Sequence, residues 1–308
     1  MKVYLSEYID PVGVDMLKAR GAELITDLDH PEELDAMLVR GVKVTRELME
    51  KAKNLKVVAK HGVGYNTIDV AAAKELGIRV VYTPGMNSEG VAEMAVTLML
   101  DAARSATRAH CLIAGGQCAR VADSGLLGCE LFGKTVALVG FGNISRRVAR
   151  IVNGGFDARV LAYDKYLPHE AFEKCGVEEF TDIDEMVAQA DFISVSIPLT
   201  DETRGIISAR QFELMKDSCI LVNTSRGGTV DERALYEALR SGKIAAAGSD
   251  VFEEEPPRAD HPLFSLPNFV GTSHLGGNTR EALYRCAEAA AQGIIDVLDG
   301  KEPAFPVV

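Results

Sequence analysis

Apolar and polar positions alternate along the first hundred residues in a pattern that predicts β-α units. Short apolar runs typical of buried strands alternate with amphipathic segments, and such alternation favours a mainly parallel sheet. The runs are "KVYL", "AELI", "LKVVAK" and "IRVV", and the segments between them predict helices from Pro11 to about Arg20 and from about Pro31 to Leu38. A longer helical pattern then runs from about Ser88 to His110 without a break before "AGGQ". We expect this helix to connect two domains.

A second alternating series follows this helix. Its apolar runs are "KTVALVG", "ARVLAYD", "ADFISVSIP", "SCILVNTSRGG", "IAAAGSDVF" and "FVGTSHLGG". A closing helical segment, about Arg280 to Asp299, has no strands of its own, so we expect it to return to the first domain. A chain of 308 residues accommodates two domains of ordinary size. The pattern therefore predicts an α/β protein with two doubly wound parallel sheets.

Composition narrows the class of protein. Residues are 47% hydrophobic and 25% charged, which is typical of a soluble globular protein, and the formal charge of -12 argues against a nucleic-acid partner. No apolar run reaches the ~18 residues of a membrane helix, and acid and proline follow the N-terminus too closely for a signal peptide. We expect a cytoplasmic protein without a membrane partner. The six cysteines form no CxxC pair and no metal-ligand spacing with histidine, so we expect reduced thiols and no metal.

The stretch "LVGFGNISRR", residues 138–147, resembles a dinucleotide-binding turn between a strand and a helix. Gly140 and Gly142 occupy the two glycine positions that meet the ligand, while Ser145 stands at the third, which serves helix packing. Pyrophosphate would bind the amides around Asn143 and Ile144. The next strand ends in Asp164, where an acid would accept hydrogen bonds from the adenosine ribose and repel a 2′-phosphate. The pattern predicts NAD rather than NADP, although Lys165 beside Asp164 weakens this preference.

Candidate catalytic side chains follow the ends of later strands. Arg226 in "NTSRGG" could hold a carboxylate through two hydrogen bonds, or be an ordinary surface arginine. The acids 253–255 in "SDVFEEEP" could include a catalytic carboxylate or form a solvated loop, and composition does not choose among them. His274 in "TSHLGG" would by itself more often be structural than catalytic. Their common position at one edge of a sheet that also carries the glycine turn favours a catalytic site.

These blocks together resemble the D-2-hydroxyacid dehydrogenase family, most closely its D-3-phosphoglycerate dehydrogenase and hydroxypyruvate reductase branch. The likeness covers nearly the whole chain and includes "KHGVGYNTID", "TPGMNSEGVAE", "GKTVALVGFGNISRRVA", "SIPLTDETRGII", "LVNTSRGGTVDERAL", "GSDVFEEEP" and "TSHLGG". Several such blocks in the family's order are more specific than any one of them.

The resemblance implies a catalytic set of Arg226, Glu255 and His274, and the acid directly before proline selects Glu255 among the three glutamates. It implies that backbone amides of Gly62, Val63 and Gly64 receive the substrate carboxylate, together with Arg226 and His274. It also assigns cofactor contacts to residues at the strand ends beyond the glycine turn: Ser196, Pro198, Thr203, Thr224, Asp250 and Gly276. Asp250 would lie near the nicotinamide carboxamide.

The architecture implied by the resemblance is a Rossmann NAD domain inserted into a flavodoxin-like substrate domain. We expect the substrate domain over residues 1–98, the NAD domain over 99–279, and a returning helix over 280–308, with NAD in the cleft. Family members are commonly homodimers. Three departures from the family's pattern are Ser145, the pair Asn66 and Thr67, and Cys118 where tryptophan is common. The chain also ends before any C-terminal regulatory domain, so feedback inhibition of that kind is not expected.

The resemblance implies hydride transfer between NAD and a small 2-hydroxy or 2-oxo acid, with His274 as the acid-base group. Glu255 would orient the imidazole and favour its protonated form, and Arg226 would bind the carboxylate and polarise the carbonyl. An alternative is an NADH-sensing co-regulator of the same fold. A methyltransferase with a glycine-rich turn fits the order of the motifs less well. The sequence leaves open whether the substrate is 3-phosphoglycerate, hydroxypyruvate, glyoxylate or another acid.

Overall fold

A computed structural model describes residues 1–117 and 125–308 and shows two compact units. Unit 1 comprises Met1–Ser88 and Gly277–Val308, and unit 2 comprises Glu89–Gly276. Unit 2 is therefore inserted into unit 1, and the chain passes between the units near residues 88 and 276. The boundaries expected from the sequence were residues 98 and 279. Each unit contains one sheet whose strands are all parallel. The predicted class, two parallel-sheet α/β domains, is confirmed.

Unit 1 has a five-stranded sheet in the order β2-β1-β3-β4-β5. Strands β3 and β4 lie in its middle and are buried along their whole length, as expected where helices cover both faces. Its elements are β1 (Lys2–Leu5), α1 (Pro11–Ala19), β2 (Glu23–Ile25), β3 (Ala36–Val39), α2 (Arg46–Lys51), β4 (Val57–Lys60), α3 (Val70–Glu75), β5 (Arg79–Val81) and, from the end of the chain, α11 (Arg280–Leu298).

The helix expected from about Pro31 to Leu38 is wrong. Only Pro31–Glu33 is helical, as a single 3-10 turn, and the apolar residues that follow form β3. Periodicity alone does not separate a short, fully buried apolar run from a piece of helix, because neither shows a polar face. The buried sheet position of this run decides in favour of the strand.

Helix α11 packs on unit 1, against α1 and the sheet. The packing is close at Gly13 of α1, where a Cβ atom would lie 2.7 Å from the carbonyl oxygen of Ala287. Small residues on the facing side of α11, Ala287, Ala290 and Ala291, are fully buried there. The absence of a side chain at Gly13 allows the two helix backbones to approach.

Unit 2 has a seven-stranded sheet in the order β12-β11-β10-β9-β6-β7-β8, covered on both faces by apolar clusters. The chain order reverses between β6 and β9, which is the switch point where open α/β sheets bind ligands. Its elements are α4 (Ser88–Arg104, from the last residue of unit 1), α5 (Ala106–Ala114), β6 (Thr135–Val139), α6 (Asn143–Phe156), β7 (Arg159–Tyr163), α7 (Glu170–Glu173), β8 (Glu178–Phe180), α8 (Ile183–Val187), β9 (Phe192–Val195), α9 (Ala209–Leu214), β10 (Ile220–Asn223), α10 (Glu232–Ser241), β11 (Ala246–Ser249) and β12 (Phe269–Gly271).

The long helix expected from Ser88 to His110 is broken in two at Ser105. Ser105 has a left-handed backbone (φ 51°), and α5 starts directly after it. The carboxylate of Asp101 accepts hydrogen bonds from the amide (2.8 Å) and the hydroxyl of Thr107, which fixes the bend. Because neither glycine nor proline marks the break, periodicity does not reveal it.

Within residues 1–117 and 125–308, no helix has the combined length and hydropathy needed to cross a membrane. In the same part of the chain, no group of three or more His, Cys, Asp or Glu side chains is arranged to hold a metal ion.

Candidate active site

The site residues of unit 2 lie where its parallel strands end. Gly140 follows β6, Asp164 follows β7, Ser196 follows β9, Thr224 follows β10, and Asp250 follows β11. His274 comes three residues after β12. Because the carboxyl ends of parallel strands meet at one edge of a sheet, the fold brings these residues to the same side of unit 2.

The turn after β6 has the geometry of a phosphate-binding turn. Gly140 has φ 87°, and a Cβ there would lie 2.3 Å from Ile197 Cγ2, so only glycine fits between the ends of β6 and β9. Gly142 precedes α6 as its N-cap without a side-chain cap, and a Cβ at Gly142 would meet open space. The first amides of α6, at Asn143 and Ile144, therefore face a region that a ligand can fill.

Ser145, the residue at the third glycine position, is 1% exposed. Its Oγ atom is buried and has no hydrogen-bond partner among the residues that the structure describes. Ser145 lies on the same buried face of α6 as Val148, Ala149 and Val152, so it acts at the helix-packing position.

Asp164 fastens the glycine turn to the end of β7. Its Oδ2 accepts the Phe141 amide at 2.9 Å and its Oδ1 accepts the Tyr166 amide at 3.0 Å. A carboxylate oxygen has two lone pairs, so each oxygen retains acceptor capacity for a ribose hydroxyl. Asp164 thus shapes the turn as well as offering the acceptor that the sequence predicts.

Other polar atoms near the strand ends fit a bound dinucleotide. The hydroxyl oxygens Ser196 Oγ and Thr224 Oγ1 are buried and lack partners within residues 1–117 and 125–308. Thr203 donates its hydroxyl to the carbonyl of the exposed Pro198 at 2.7 Å, which closes the turn after β9. Buried polar atoms are normally paired, so unpaired hydroxyls at a sheet edge indicate partners that the protein alone does not supply. With the open turn and Asp164, these residues fit NAD.

Arg226 is held by a buried hydrogen-bond network that sequence reasoning missed. Asn223 Nδ2 donates to the Arg226 carbonyl at 3.0 Å, and Thr229 Oγ1 donates to the same oxygen at 2.7 Å. Asn223 Oδ1 in turn accepts the Ser225 amide and hydroxyl. The guanidinium of Arg226 donates through one NH₂ group to the Ser225 carbonyl at 2.6 Å. The available signal was the "NTS" sequence, since Asn and Ser readily close local turns.

Gly227 brings the loop of Arg226 against the loop of Glu255. A Cβ at Gly227 would lie 2.0 Å from the Phe252 carbonyl carbon and 2.2 Å from the Glu253 amide nitrogen. Both are backbone atoms, which cannot move aside as a side chain does. Arg226 and Glu255 therefore lie in adjacent, tightly packed loops.

Glu255 and His274 form the central pair. His274 Nδ1 lies 2.9 Å from Glu255 Oε2, and Glu255 Oε1 accepts the Phe252 amide at 3.2 Å. An ionised carboxylate only accepts, so Nδ1 carries the proton and Nε2 is left as the nitrogen that can exchange a proton with substrate. Both side chains are partly exposed, 45% for His274 and 37% for Glu255. The structure thus brings together two of the three predicted catalytic side chains directly.

The charges of the site favour an ionised Glu255. Burial raises the pKa of the Glu255 carboxyl, but the hydrogen bond and charge of His274, the Phe252 amide and the charge of Arg226 outweigh it, and the pKa lies below its ordinary value. Burial lowers the pKa of Arg226, and the charge of Glu255 opposes that effect. Arginine starts so high that it stays protonated. The site therefore presents a fixed cation, a fixed anion and an imidazole.

Asp250 holds the segment that carries His274. Its Oδ1 accepts the Thr272 hydroxyl (2.6 Å) and the Leu275 amide (2.7 Å), and its Oδ2 accepts the Gly276 amide (2.8 Å). His274 itself has a left-handed backbone, φ 58°, which is uncommon for residues other than glycine. With three of about four acceptor positions used, the Asp250 carboxylate has room for one further donor. Its evident role is to position His274.

In unit 1, the turn after β4 contains the amides that the resemblance assigns to the substrate carboxylate. The Gly62 amide already donates to Thr83 Oγ1 at 2.8 Å, and Gly62 has φ 130°. The backbone amides of Val63 and Gly64 donate no backbone hydrogen bond within the described ranges. Thr67, one of the departures, contacts Lys60 Nζ through its hydroxyl at 3.4 Å. Cys118, another, lies outside the described residues.

Comparisons with known proteins agree with this geometry. Residues 96–276 match the model of the D-isomer specific 2-hydroxyacid dehydrogenase NAD binding domain. The chain is 45% identical to D-3-phosphoglycerate dehydrogenase of Methanocaldococcus jannaschii over 89% of its length, but it spans 52% of that relative. It is 42% identical to hydroxypyruvate reductase of Thermotoga maritima, over 92% of this chain and 94% of the relative.

A solved structure from Thermus thermophilus superimposes with a TM-score of 0.91 at 34% identity, over the whole of both chains. The family model covers more than half of the chain, and the glycine turn, the acid after β7 and the strand-end side chains lie within it. Unit 2 is accordingly an NAD-binding domain, and the chain belongs to the D-isomer specific 2-hydroxyacid dehydrogenase family.

Proposed function

We propose that the protein is an NAD-dependent oxidoreductase that interconverts a small D-2-hydroxy acid and its 2-oxo acid. The observation that supports this most strongly is the Glu255–His274 pair, with 2.9 Å between Oε2 and Nδ1, on the same sheet edge as the glycine turn. A proton donor beside a nicotinamide site is what carbonyl reduction requires. The cofactor supplies the hydride.

Each side chain has a distinct task in this proposal. His274 gives its proton from Nε2 to the carbonyl oxygen during reduction and accepts it back during oxidation. Glu255 holds Nδ1 and stabilises the imidazolium by its charge. Arg226 binds the substrate carboxylate with the donors that Ser225 does not use, and its planar fork fixes the plane of the 2-oxo acid.

The resemblance implies a second set of carboxylate donors, in the turn after β4 of unit 1. The resemblance assigns them to Gly62, Val63 and Gly64, and the engaged amide of Gly62 limits the free donors to the other two. We propose 3-phosphoglycerate, hydroxypyruvate and glyoxylate, with their redox partners, as the first substrates to test. Relatives named for phosphoglycerate and hydroxypyruvate share 45% and 42% identity with this chain.

The test is an NADH-oxidation screen over phosphorylated and unphosphorylated 2-oxo acids, with an independent NADH binding measurement. We expect turnover with at least one acid, a loss of kcat of about 10²- to 10⁴-fold in His274→Asn, and unchanged NADH affinity in that variant. Binding of NADH without turnover of any acid would instead support the NADH-sensing co-regulator.

The Glu255–His274 pairing has its own test. Glu255 accepts the hydrogen bond from Nδ1 as a carboxylate, and its lowered pKa keeps it ionised until the pH falls below the usual range of a glutamate. In Glu255→Gln the charge is gone and the charge-assisted bond is lost, so kcat for reduction should fall by about tenfold or more, while the exposed control Glu237→Gln should leave kcat in place. An unchanged kcat in Glu255→Gln would contradict the pairing.

Arg226→Lys tests the carboxylate contact. A point charge cannot reproduce two parallel hydrogen bonds, and losing one charge-assisted bond corresponds to about a tenfold or larger rise in the KM of the 2-oxo acid. Arg258→Lys, which changes an exposed arginine paired with Asp260, is the matched control. Equal KM values in the two variants would remove Arg226 from the proposed site.

We also propose that the protein forms a homodimer through unit 2. Helix α5 buries none of its residues, and its Ile113 is 70% exposed. Leu127 and Phe132, which follow α5 along the chain, are 94% and 62% exposed. Large exposed apolar side chains in one stretch of the chain favour an interface. Light scattering should give twice the chain mass for the wild type and a smaller particle for Ile113→Glu with Leu127→Glu.

A further inference from the structure

We propose that Glu202 is a specificity-determining residue that disfavours NADPH, because it binds Lys165, the cation beside the ribose-binding acid Asp164. The inference rests on the cofactor site of the proposed function. It concerns a question that the sequence leaves open, since a lysine next to Asp164 could attract the 2′-phosphate that Asp164 repels.

The three side chains involved are connected through short contacts. Lys165 Nζ lies 2.8 Å from Glu202 Oε2, and the Tyr166 hydroxyl donates to the same oxygen at 3.3 Å. The ammonium also lies 5.7 Å from the centre of the Tyr166 ring. Glu202 therefore holds Lys165 and Tyr166 together. None of these contacts brings a cation to the Asp164 carboxylate.

Glu202 is presented by a well-defined turn between β9 and α9. Thr203 Oγ1 donates to the Pro198 carbonyl (2.7 Å) and accepts the Thr200 amide (2.8 Å), while the Thr203 amide donates to the Thr200 carbonyl (3.2 Å). These bonds fix the backbone on both sides of Glu202. On the other side, the Asp164 carboxylate fixes the Tyr166 amide at 3.0 Å. Both partners of the ion pair thus start from ordered backbone.

The electrostatic consequence follows from counting charges. Asp164, Lys165 and Glu202 together carry one net negative charge, and without Glu202 they would carry none. Both members of the ion pair are exposed, 57% for Lys165 and 64% for Glu202, so its strength is modest and depends on salt. The hydrogen bond to Glu202 raises the pKa of Lys165, and the same bond lowers the pKa of Glu202. Each side chain is therefore fully charged at neutral pH.

Removing Glu202 should make Lys165 available to a 2′-phosphate. While the two are paired, the Glu202 carboxylate cancels most of the attraction of the Lys165 ammonium for a phosphate. Once unpaired, an ammonium about 8–10 Å from a doubly charged phosphate raises the affinity by about fivefold in water. NADH lacks that phosphate, so its affinity should change little. The gain is thus a change in the ratio of the two dissociation constants.

The experiment measures dissociation constants of NADH and NADPH by fluorescence or calorimetry, without any oxo acid. The variants are Glu202→Gln, Lys165→Gln and the double variant, with Glu237→Gln as control because Glu237 forms a comparable exposed pair with Arg240. We expect Glu202→Gln to favour NADPH by about fivefold at low salt and by less at high salt. We expect Lys165→Gln to weaken NADPH binding several-fold in the Glu202→Gln background and little in the wild type.

Two results would overturn the proposal: a ratio in Glu202→Gln equal to that in Glu237→Gln, or an equal effect of Lys165→Gln in both backgrounds. The second result would mean that Glu202 acts through its own charge and not through Lys165. Failure of the wild type to bind either cofactor would overturn the proposed function as well. Binding of NADH without turnover would leave this inference standing on its own measurement.

Discussion

Asp250→Asn tests whether Asp250 positions His274. The Asp250 carboxylate is 2% exposed and accepts three hydrogen bonds from Thr272, Leu275 and Gly276. Asparagine keeps the shape but replaces one acceptor oxygen by an NH₂ group. In the more favourable orientation that group takes the Oδ2 position and faces the Gly276 amide, so one charge-assisted bond is lost and two donors oppose each other. The other orientation loses the Leu275 bond.

The expected cost follows from this count. One hydrogen bond to a charged group contributes about 1.5–3 kcal/mol, so the free energy of unfolding should fall by about 2–3 kcal/mol. His274 has a left-handed backbone that depends on these bonds, so its imidazole should also shift. Since a displacement of about 1 Å can cost up to 10²-fold in rate, we expect kcat to drop by about tenfold or more.

The assay combines urea unfolding with steady-state kinetics. Asp217→Asn is the matched control, because Asp217 is 81% exposed and pairs with Lys243 at the surface, and its change should stay within about 0.5 kcal/mol. Equal unfolding free energies for the two variants would refute the reasoning about Asp250. A destabilised Asp250→Asn with normal kcat would show that the bonds support the fold without positioning His274.

Two further predictions concern single atoms at the site. Gly227→Ala should lower the free energy of unfolding by about 1–3 kcal/mol and impair turnover, because its Cβ would overlap the Phe252–Glu253 backbone. The control is Gly154→Ala in α6, whose Cβ meets open space and which should be neutral or stabilising. Equal urea midpoints for the two variants would contradict the clash. Ser145→Ala removes a buried, unpaired hydroxyl, so the free energy of unfolding should be unchanged or rise by up to about 1 kcal/mol. The affinity for NADH should be unaltered, and a loss of affinity would place that hydroxyl at the cofactor.

The parts of the fold that local rules determine were predictable. The apolar runs predicted ten of the twelve strands in the described part of the chain and missed β3 and β8. The glycine turn after β6 could be identified because Gly140 and Gly142 act through their own backbone and the strand before them. The segment 31–38 was misassigned because a buried strand and a buried helix look alike over so few residues. The bend at Ser105 depends on the side chain of Asp101 reaching forward to Thr107, which no breaker residue announces.

The acids at the strand ends show why the roles of the individual site residues were not predictable from the sequence. Asp164, Asp250 and Glu255 each follow a strand of one sheet, and composition gives no reason to separate their roles. Asp250 is buried with backbone amides and the Thr272 hydroxyl, so it fixes a loop, whereas Glu255 is 37% exposed and meets the His274 imidazole. The difference lies in which donors the neighbouring loops bring within reach, and those loops are distant in sequence.

The same reasoning applies to the cation beside the cofactor site. In sequence, Lys165 is the neighbour of Asp164 and is expected to oppose the predicted selectivity of that acid for NAD. In the structure Lys165 forms an ion pair with Glu202, 37 residues further along the chain. The turn after β9 brings Glu202 Oε2 to within 2.8 Å of Lys165 Nζ. A charge contributes to binding according to what it is already paired with, so the local sequence overstates the role of Lys165 and omits that of Glu202. The strand order that places β9 beside β6 brings Glu202 to Lys165, and the sequence next to Asp164 does not show this pairing.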